Sequence, residues 1–280
     1  MQLNVHYTTA YHYSEPARRV IQLLRITPPS FAGQAVLDWR IDVDRDAKLR
    51  EGRDGYGNIT HMLYVDQPIP SLSVTIAGHV LTEDRAGVVQ GLSHELPPLV
   101  FARATPLTES GPAIARVATA VAKGKGKRLD CLHRLAARLH ETIRFDTEAT
   151  AVDTSAEQAC AEGHGVCQDF AHIFIAASRE LGMPARYVSG HLFRRDGQHV
   201  QEAGHAWAEA WVEDLGWVGF DPVNGICTDD AYVRVAAGLD YHAAAPVAGT
   251  RAGGGDEHMS VEVRVDAAPR RAQAQSQSQN

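Results

Sequence analysis

The hydrophobic period changes twice along this chain, which limits it to folds that combine sheet with a short helical block. Over the first hundred residues apolar and polar side chains alternate: Leu3, Val5 and Tyr7, then Trp39, Ile41 and Val43, then Leu72, Val74 and Ile76. A period of two marks half-buried strands. Asp54-Gly55-Tyr56-Gly57-Asn58 is dense in residues that tolerate positive φ, so it predicts a tight turn or bulge. Several short strands without a helix longer than three turns predict a small β-sandwich or open barrel over residues 1–105. The helical period then takes over in 127–144, where Leu129, Leu132, Ala136, Leu139 and Ile143 share one face. Ser155 and Gln158 have capping-box spacing and open a short helix that stops at Gly163. A further helix over 167–181 carries Phe170, Phe174, Ala177 and Leu181 on one face and ends at Gly182 and Pro184. From Arg186 onward strands return. Tyr187–Leu192 is one, Ala206–Val212 and Trp217–Phe220 pair across 213–216, and 260–265 is the last. The expected organisation is α+β: a β-rich part over 1–105, a core over 106–266, and a disordered Gln- and Ser-rich tail over 267–280.

The 280 residues hold 27 Lys+Arg against 34 Asp+Glu, a formal net charge of -7. That balance argues against a nucleic-acid partner, because phosphate backbones demand concentrated positive charge. No run approaches the ~20 apolar residues of a membrane span, so no membrane partner is expected. The start, Met1-Gln2-Leu3-Asn4-Val5-His6-Tyr7, alternates and lacks a signal-peptide core, which predicts a cytoplasmic protein. Cysteines 131, 160, 167 and 227 are then expected reduced rather than as a disulfide framework.

Cys167 stands where a Gly-rich loop, Gly163-His164-Gly165, becomes a helix. A helix start favours a thiolate, and its unpaired N–H groups can stabilise an oxyanion. On local sequence alone a buried structural cysteine fits equally well. The hairpin further along decides between them. His205 opens the strand His205-Ala206-Trp207-Ala208-Glu209-Ala210-Trp211, and the turn at 213–216 returns Asp221 to its side. An aspartate there accepts the imidazole N–H and fixes its tautomer. Trp207, Trp211 and Trp217 predict a dry wall beside the reacting atoms. His164, Gln168 and Trp207 are the candidate substrate contacts, and Asp169 is read as a first-turn carboxylate favoured by the helix dipole. His191 and His199 read as surface or cleft-edge residues, and Cys131 and Cys227 as inert.

Gly165-Val166-Cys167-Gln168-Asp169-Phe170-Ala171, His205-Ala206-Trp207 and Phe220-Asp221-Pro222 together resemble the core of the transglutaminase-like superfamily. Arg25-Ile26-Thr27-Pro28 and Asp54-Gly55-Tyr56-Gly57-Asn58 resemble the β-rich domain that precedes it in bacterial members. The resemblance implies a papain-like α+β core behind a β-sandwich-like domain, with Cys167 as nucleophile, His205 as base and acid, and Asp221 as orienter. It implies a cysteine peptidase or amidase acting through a thioester, with transglutaminase-type acyl transfer as the alternative. No cofactor or metal is called for, and the D-x-[DN]-x-[DN]-G calcium loop is missing from the sequence. The substrate would be a peptide, an isopeptide or a small amide, and the oligomeric state is not written in the sequence. Two non-enzymatic readings stay open: a catalytically dead binding module, and a zinc site made of Cys160, His164, Cys167 and His172.

Overall fold

A computed structural model describes residues 1–148 and 150–268. The chain opens with β1 (Gln2–Leu24), a single strand of 23 residues. Its burial alternates except at Ser14, Glu15 and Pro16 and at Arg18 and Arg19, which are all exposed. Register shifts there, and the kink lets one strand serve two sheet segments. β2 (Gln34–Val43), β3 (Lys48–Arg53), β4 (Ile59–Val65) and β5 (Ile69–Thr82) follow. β5 lies beside the first half of β1 with β2 outside it, and β4 lies beside the second half with β3 outside it. The expected series of short strands is thus corrected to one long strand with shorter partners. Pro16, which has no N–H to give, falls at the kink and masks the continuity.

β6 (Val88–Val89) already belongs to the second sheet, and two 3-10 turns, Pro98–Ala102 and Pro106–Thr108, lead onward. The helical block follows as α1 (Pro112–Ala122), α2 (Arg128–Thr142), α3 (Ala156–Glu162) and α4 (Cys167–Glu180). Around α3, β7 (Arg144–Phe145) runs parallel to β8 (His164–Gly165). Then come β9 (Ala185–Leu192), β10 (Val200–Gln201), β11 (His205–Val212), β12 (Gly216–Asp221), β13 (Ile226–Cys227) and β14 (Tyr232–Gly238). The second sheet has the order β13-β12-β11-β9-β14, with β6 against β12. After α5 (Tyr241–Ala244), β15 (Val247–Gly253) and β16 (Glu257–Ala267) return to pair with the two halves of β1. β10 joins β16.

The boundaries 1–105, 106–266 and 267–280 therefore do not follow the sheets. Residues 88–89 belong to the second sheet and the strands 247–253 and 257–267 to the first, and Ala267 closes a strand. Residues 269–280 of the expected tail lie outside those described. The reason is physical: a period of two records that a segment is a strand, but not which sheet pairs with it.

α4 is buried on every side from Asp169 to Ser178, with the sheet on one flank and α1, α2 and α3 on the other. The expected single apolar face is thus only part of its contact surface. His191 corrects the surface reading as well. It is 6% exposed between the two sheets, near Tyr7 and Trp39, and burial pushes its pKa down to about 4. Among the described residues, no helix is long and apolar enough to cross a membrane.

Candidate active site

Local chemistry places the candidate nucleophile. Ser155 Oγ accepts from Gln158 N–H at 3.2 Å and opens α3, and Gly163 at φ +76° closes it in the left-handed conformation. Two residues of β8 later, α4 begins at Cys167. Asp169, the third residue of α4, folds back so that its carboxylate accepts from Val166 N–H at 2.8 Å and from Thr150 Oγ1 at 2.7 Å. A Cβ on Gly165 would come within 2.6 Å of that carboxylate, so the turn requires glycine. Asp169 therefore shapes the helix start, as its position suggested. Cys167 is half-buried, and its N–H lies in the first turn, where no intrahelical acceptor exists.

The candidate general base comes from the sheet. Because side chains alternate along β11, Ala206, Ala208 and Ala210 face the helices while His205, Trp207 and Glu209 share the opposite face. β12 is in register with β11 at Trp211 and Trp217, which brings Asp221 back onto the His205 face. His205 Nε2 donates to Asp221 Oδ2 at 2.7 Å, and the Cys167 sulfur lies near enough to the same ring to favour its charged form. Burial opposes a charge on His205. The Asp221 carboxylate and the neighbouring sulfur outweigh it and hold the imidazole pKa above its ordinary value. Asp221 is 0% exposed, yet burial does not neutralise it. The His205 charge and a set of donors keep it below the usual carboxylate range. Its Oδ2 also accepts from Tyr232 Oη and Asn224 Nδ2, both at 2.7 Å. Its Oδ1 accepts from Val223 N–H at 2.9 Å and Asn224 N–H at 3.2 Å.

The sequence reading missed Tyr232 and Asn224. Asp221-Pro222-Val223-Asn224 does carry a turn signal for Asn224, since an aspartate side chain commonly caps the N–H two or three residues on. Nothing local marks Tyr232, which reaches Asp221 across a loop.

The expected substrate contacts fare differently. Trp207 is corrected: at 2% exposure it packs edge-on against Tyr232, with ring centroids 5.4 Å apart, and lies 6.2 Å from His205. It is a wall behind the imidazole, packed among Val188, Ala231, Tyr232 and Ala237. Trp211 and Trp217 pack with Phe101 in a separate cluster. Gln168 is half-buried and donates to Val152 O at 2.8 Å, pinning the loop beside the nucleophile. His164 is half-buried on β8, with its Nε2 4.0 Å from a Glu162 carboxylate oxygen. The zinc reading does not fit the geometry. His172 is fully buried, and its Nε2 accepts from Tyr241 N–H at 3.0 Å. Among the described residues no three His, Cys, Asp or Glu side chains converge as metal ligands would.

A half-exposed cysteine at a buried helix start, beside an antiparallel sheet that carries a hydrogen-bonded histidine–aspartate pair, suits a papain-like, transglutaminase-like fold. The chain belongs to the transglutaminase-like superfamily, whose profile matches residues 115–222, and the bacterial transglutaminase-like N-terminal region matches residues 3–81. It is 30% identical over 277 residues to the uncharacterized protein ML0607 of Mycobacterium leprae (strain TN), covering 94% of this chain and 98% of that one. The uncharacterized protein Rv2569c of Mycobacterium tuberculosis (strain ATCC 25618 / H37Rv) is 28% identical, covering 95% of this chain and 92% of that one. A crystal structure described as a candidate cysteine protease from Cytophaga hutchinsonii superposes with a TM-score of 0.76. It is 20% identical and covers 96% of this chain and 92% of that one.

Proposed function

We propose that the protein is a cysteine-dependent hydrolase of amide or peptide bonds, working through a Cys167 thioester. The observation that carries this reading is the buried His205–Asp221 hydrogen bond of 2.7 Å with the Cys167 thiol beside the same ring. Asp221 takes Nε2, which leaves Nδ1 to face the sulfur. The Cys167 thiolate attacks the carbonyl carbon, and the Cys167 N–H at the α4 start stabilises the oxyanion. His205 passes its proton to the leaving amine as the C–N bond breaks and the thioester forms. Water then attacks, His205 takes its proton, and the acid departs as the thiolate reforms.

Water is favoured over an amine acceptor because Cys167 is half-exposed and Trp207 is occupied in the core, so it supplies no apolar cover over the thioester. The substrate is expected to be a peptide, an isopeptide or a small amide. The four unpaired cysteines suit a reducing compartment, and a cytoplasmic address is part of the proposal. Cell fractionation checks it.

Two measurements test the chemistry. With mild iodoacetamide near neutral pH, Cys167 is expected to label first. Burial pushes the Cys160 and Cys227 thiols up to about 11, so they should lag. Labelling of Cys160 or Cys227 at the same rate would sink the nucleophile. A peptide and amide panel with an added primary amine is expected to yield free acid in excess. Amine conjugates forming faster than acid would move the assignment to acyl transfer.

A further inference from the structure

The β-rich N-terminal part meets the catalytic sheet along the edge of β14, and β14 begins with the residue that holds Asp221. Two amide side chains make the joint. Asn58 Nδ2 donates to Ala237 O at 2.8 Å, and Asn58 Oδ1 accepts from Ala237 N–H at 2.8 Å. Gln34 repeats this at Arg234, where its Nε2 donates to the carbonyl at 2.9 Å and its Oε1 accepts from the N–H at 2.8 Å. Each amide stands in for one residue of a neighbouring strand, on the edge of β14 away from β9.

The pairing needs an irregular strand. In an unbroken strand, residues three apart offer their backbone groups to opposite edges. The register of β14 on β9 shifts between Arg234 and Ala236, and the extra residue turns 234 and 237 to the same side. Asn58 is 5% exposed and Gln34 3%, so both amides are committed to this contact. The rotation of Asn58 is itself held. Asp54 accepts from Asn58 Nδ2 at 3.0 Å and from Asn58 N–H at 3.1 Å, and Arg25 Nε pairs with Asp54 at 2.8 Å. The two amino-terminal motifs singled out in the sequence thus form one assembly that aims an amide at β14. At the head of that strand Tyr232 is wedged against Trp207 and donates to Asp221.

We infer that Asn58 and Gln34 are positioning residues of the catalytic centre: by clamping the edge of β14 they hold Tyr232, and through it Asp221 and the His205 ring, in working geometry. This rests on the hydrolase reading above. It assigns the N-terminal part a share in catalysis without contact to substrate. Simple glue between two sheets would lower stability but would not act through Tyr232.

The test compares wild type, Asn58→Ala, Tyr232→Phe and the double variant, each well below its melting temperature. One readout is the rate and pH profile of Cys167 labelling by iodoacetamide. The other is the downfield proton resonance of the His205 Nε2–H bond to Asp221. Each single variant is expected to slow labelling roughly tenfold, less than a full ångström of misplacement costs. Each should also displace the pH profile and broaden the proton resonance. The double variant should be no slower than Tyr232→Phe, because both changes remove the same support. A double variant clearly slower than Tyr232→Phe overturns the inference, as does Asn58→Ala with a wild-type profile and resonance. If Asn58→Ala does not fold, Gln34→Ala carries the same comparison. Wild-type Cys167 labelling no faster than Cys160 and Cys227 would defeat the hydrolase reading and this inference together. Fast wild-type labelling with an unmoved Asn58→Ala defeats the inference alone.

Discussion

His205→Ala is expected to lower turnover of any cleaved amide by roughly 10⁴-fold, because in the proposed mechanism one ring supplies both the base and the acid of the reaction. The fold is expected to survive. Asp221 retains Tyr232, Asn224 and two backbone N–H donors after the imidazole is gone. The stability cost should depend on pH, and its sign follows from the shift. The folded-state pKa of His205 is raised, so its pairing with Asp221 stabilises the fold fully below the unfolded value of about 6.5. That contribution is lost as pH rises through the folded value. The gap in melting temperature between wild type and His205→Ala is therefore widest in mild acid and closes in alkali. A gap that widens toward alkaline pH would mean that the imidazole is held neutral.

The largest stability effect belongs to Glu209, which the sequence reading passed over. It is 0% exposed between two buried arginines, with Arg186 Nε at 2.5 Å and Arg234 Nε at 2.9 Å. The Arg186 guanidinium also lies 4.0 Å over the Trp217 ring. Both partners' pKa values are lowered, for opposite reasons. Burial outweighs the carboxylate and brings Arg186 down to about 10, whereas the two cations outweigh burial and hold Glu209 below the usual carboxylate range. Arg186 is still charged at neutral pH, so the ion pairs stand. Glu209→Ala leaves two buried guanidinium groups without their anion. The expected loss is about 3–5 kcal/mol, or roughly 10 °C in melting temperature by calorimetry. In the wild type, the contribution of Glu209 is present above its unfolded pKa of about 4.3 and lost as pH falls through its lower folded value. A melting temperature unchanged in Glu209→Ala would mean that water or another carboxylate takes its place.

Much of the site was legible because its parts are local. The Ser155 cap, the turn at Gly163 and the first turn of α4 depend on residues within a few positions of one another. They place Cys167 whatever the rest of the chain does. His205 and Asp221 are sixteen residues apart on one hairpin, so period-two alternation and the turn at 213–216 suffice to bring them to one face. Trp207 was misplaced by the same logic. Alternation put it on the His205 face correctly, but which side of the sheet meets solvent depends on what packs there, and Val188, Ala231, Tyr232 and Ala237 cover it.

What the sequence by itself determined is therefore the kind of each segment, a cysteine at a helix start and the histidine–aspartate hairpin. Interactions among near neighbours decide these, and near neighbours are visible in order along the chain. Only the tertiary structure decided that β15 and β16 return to β1, that Tyr232 braces Asp221, and that Asn58 and Gln34 grip β14. Those amides meet their partners across 179 and 200 residues. An isolated Asn or Gln carries no mark of the distant backbone it will satisfy. Burial makes the pairing obligatory once the two sheets close, and the bulge in β14 brings both sites to one edge.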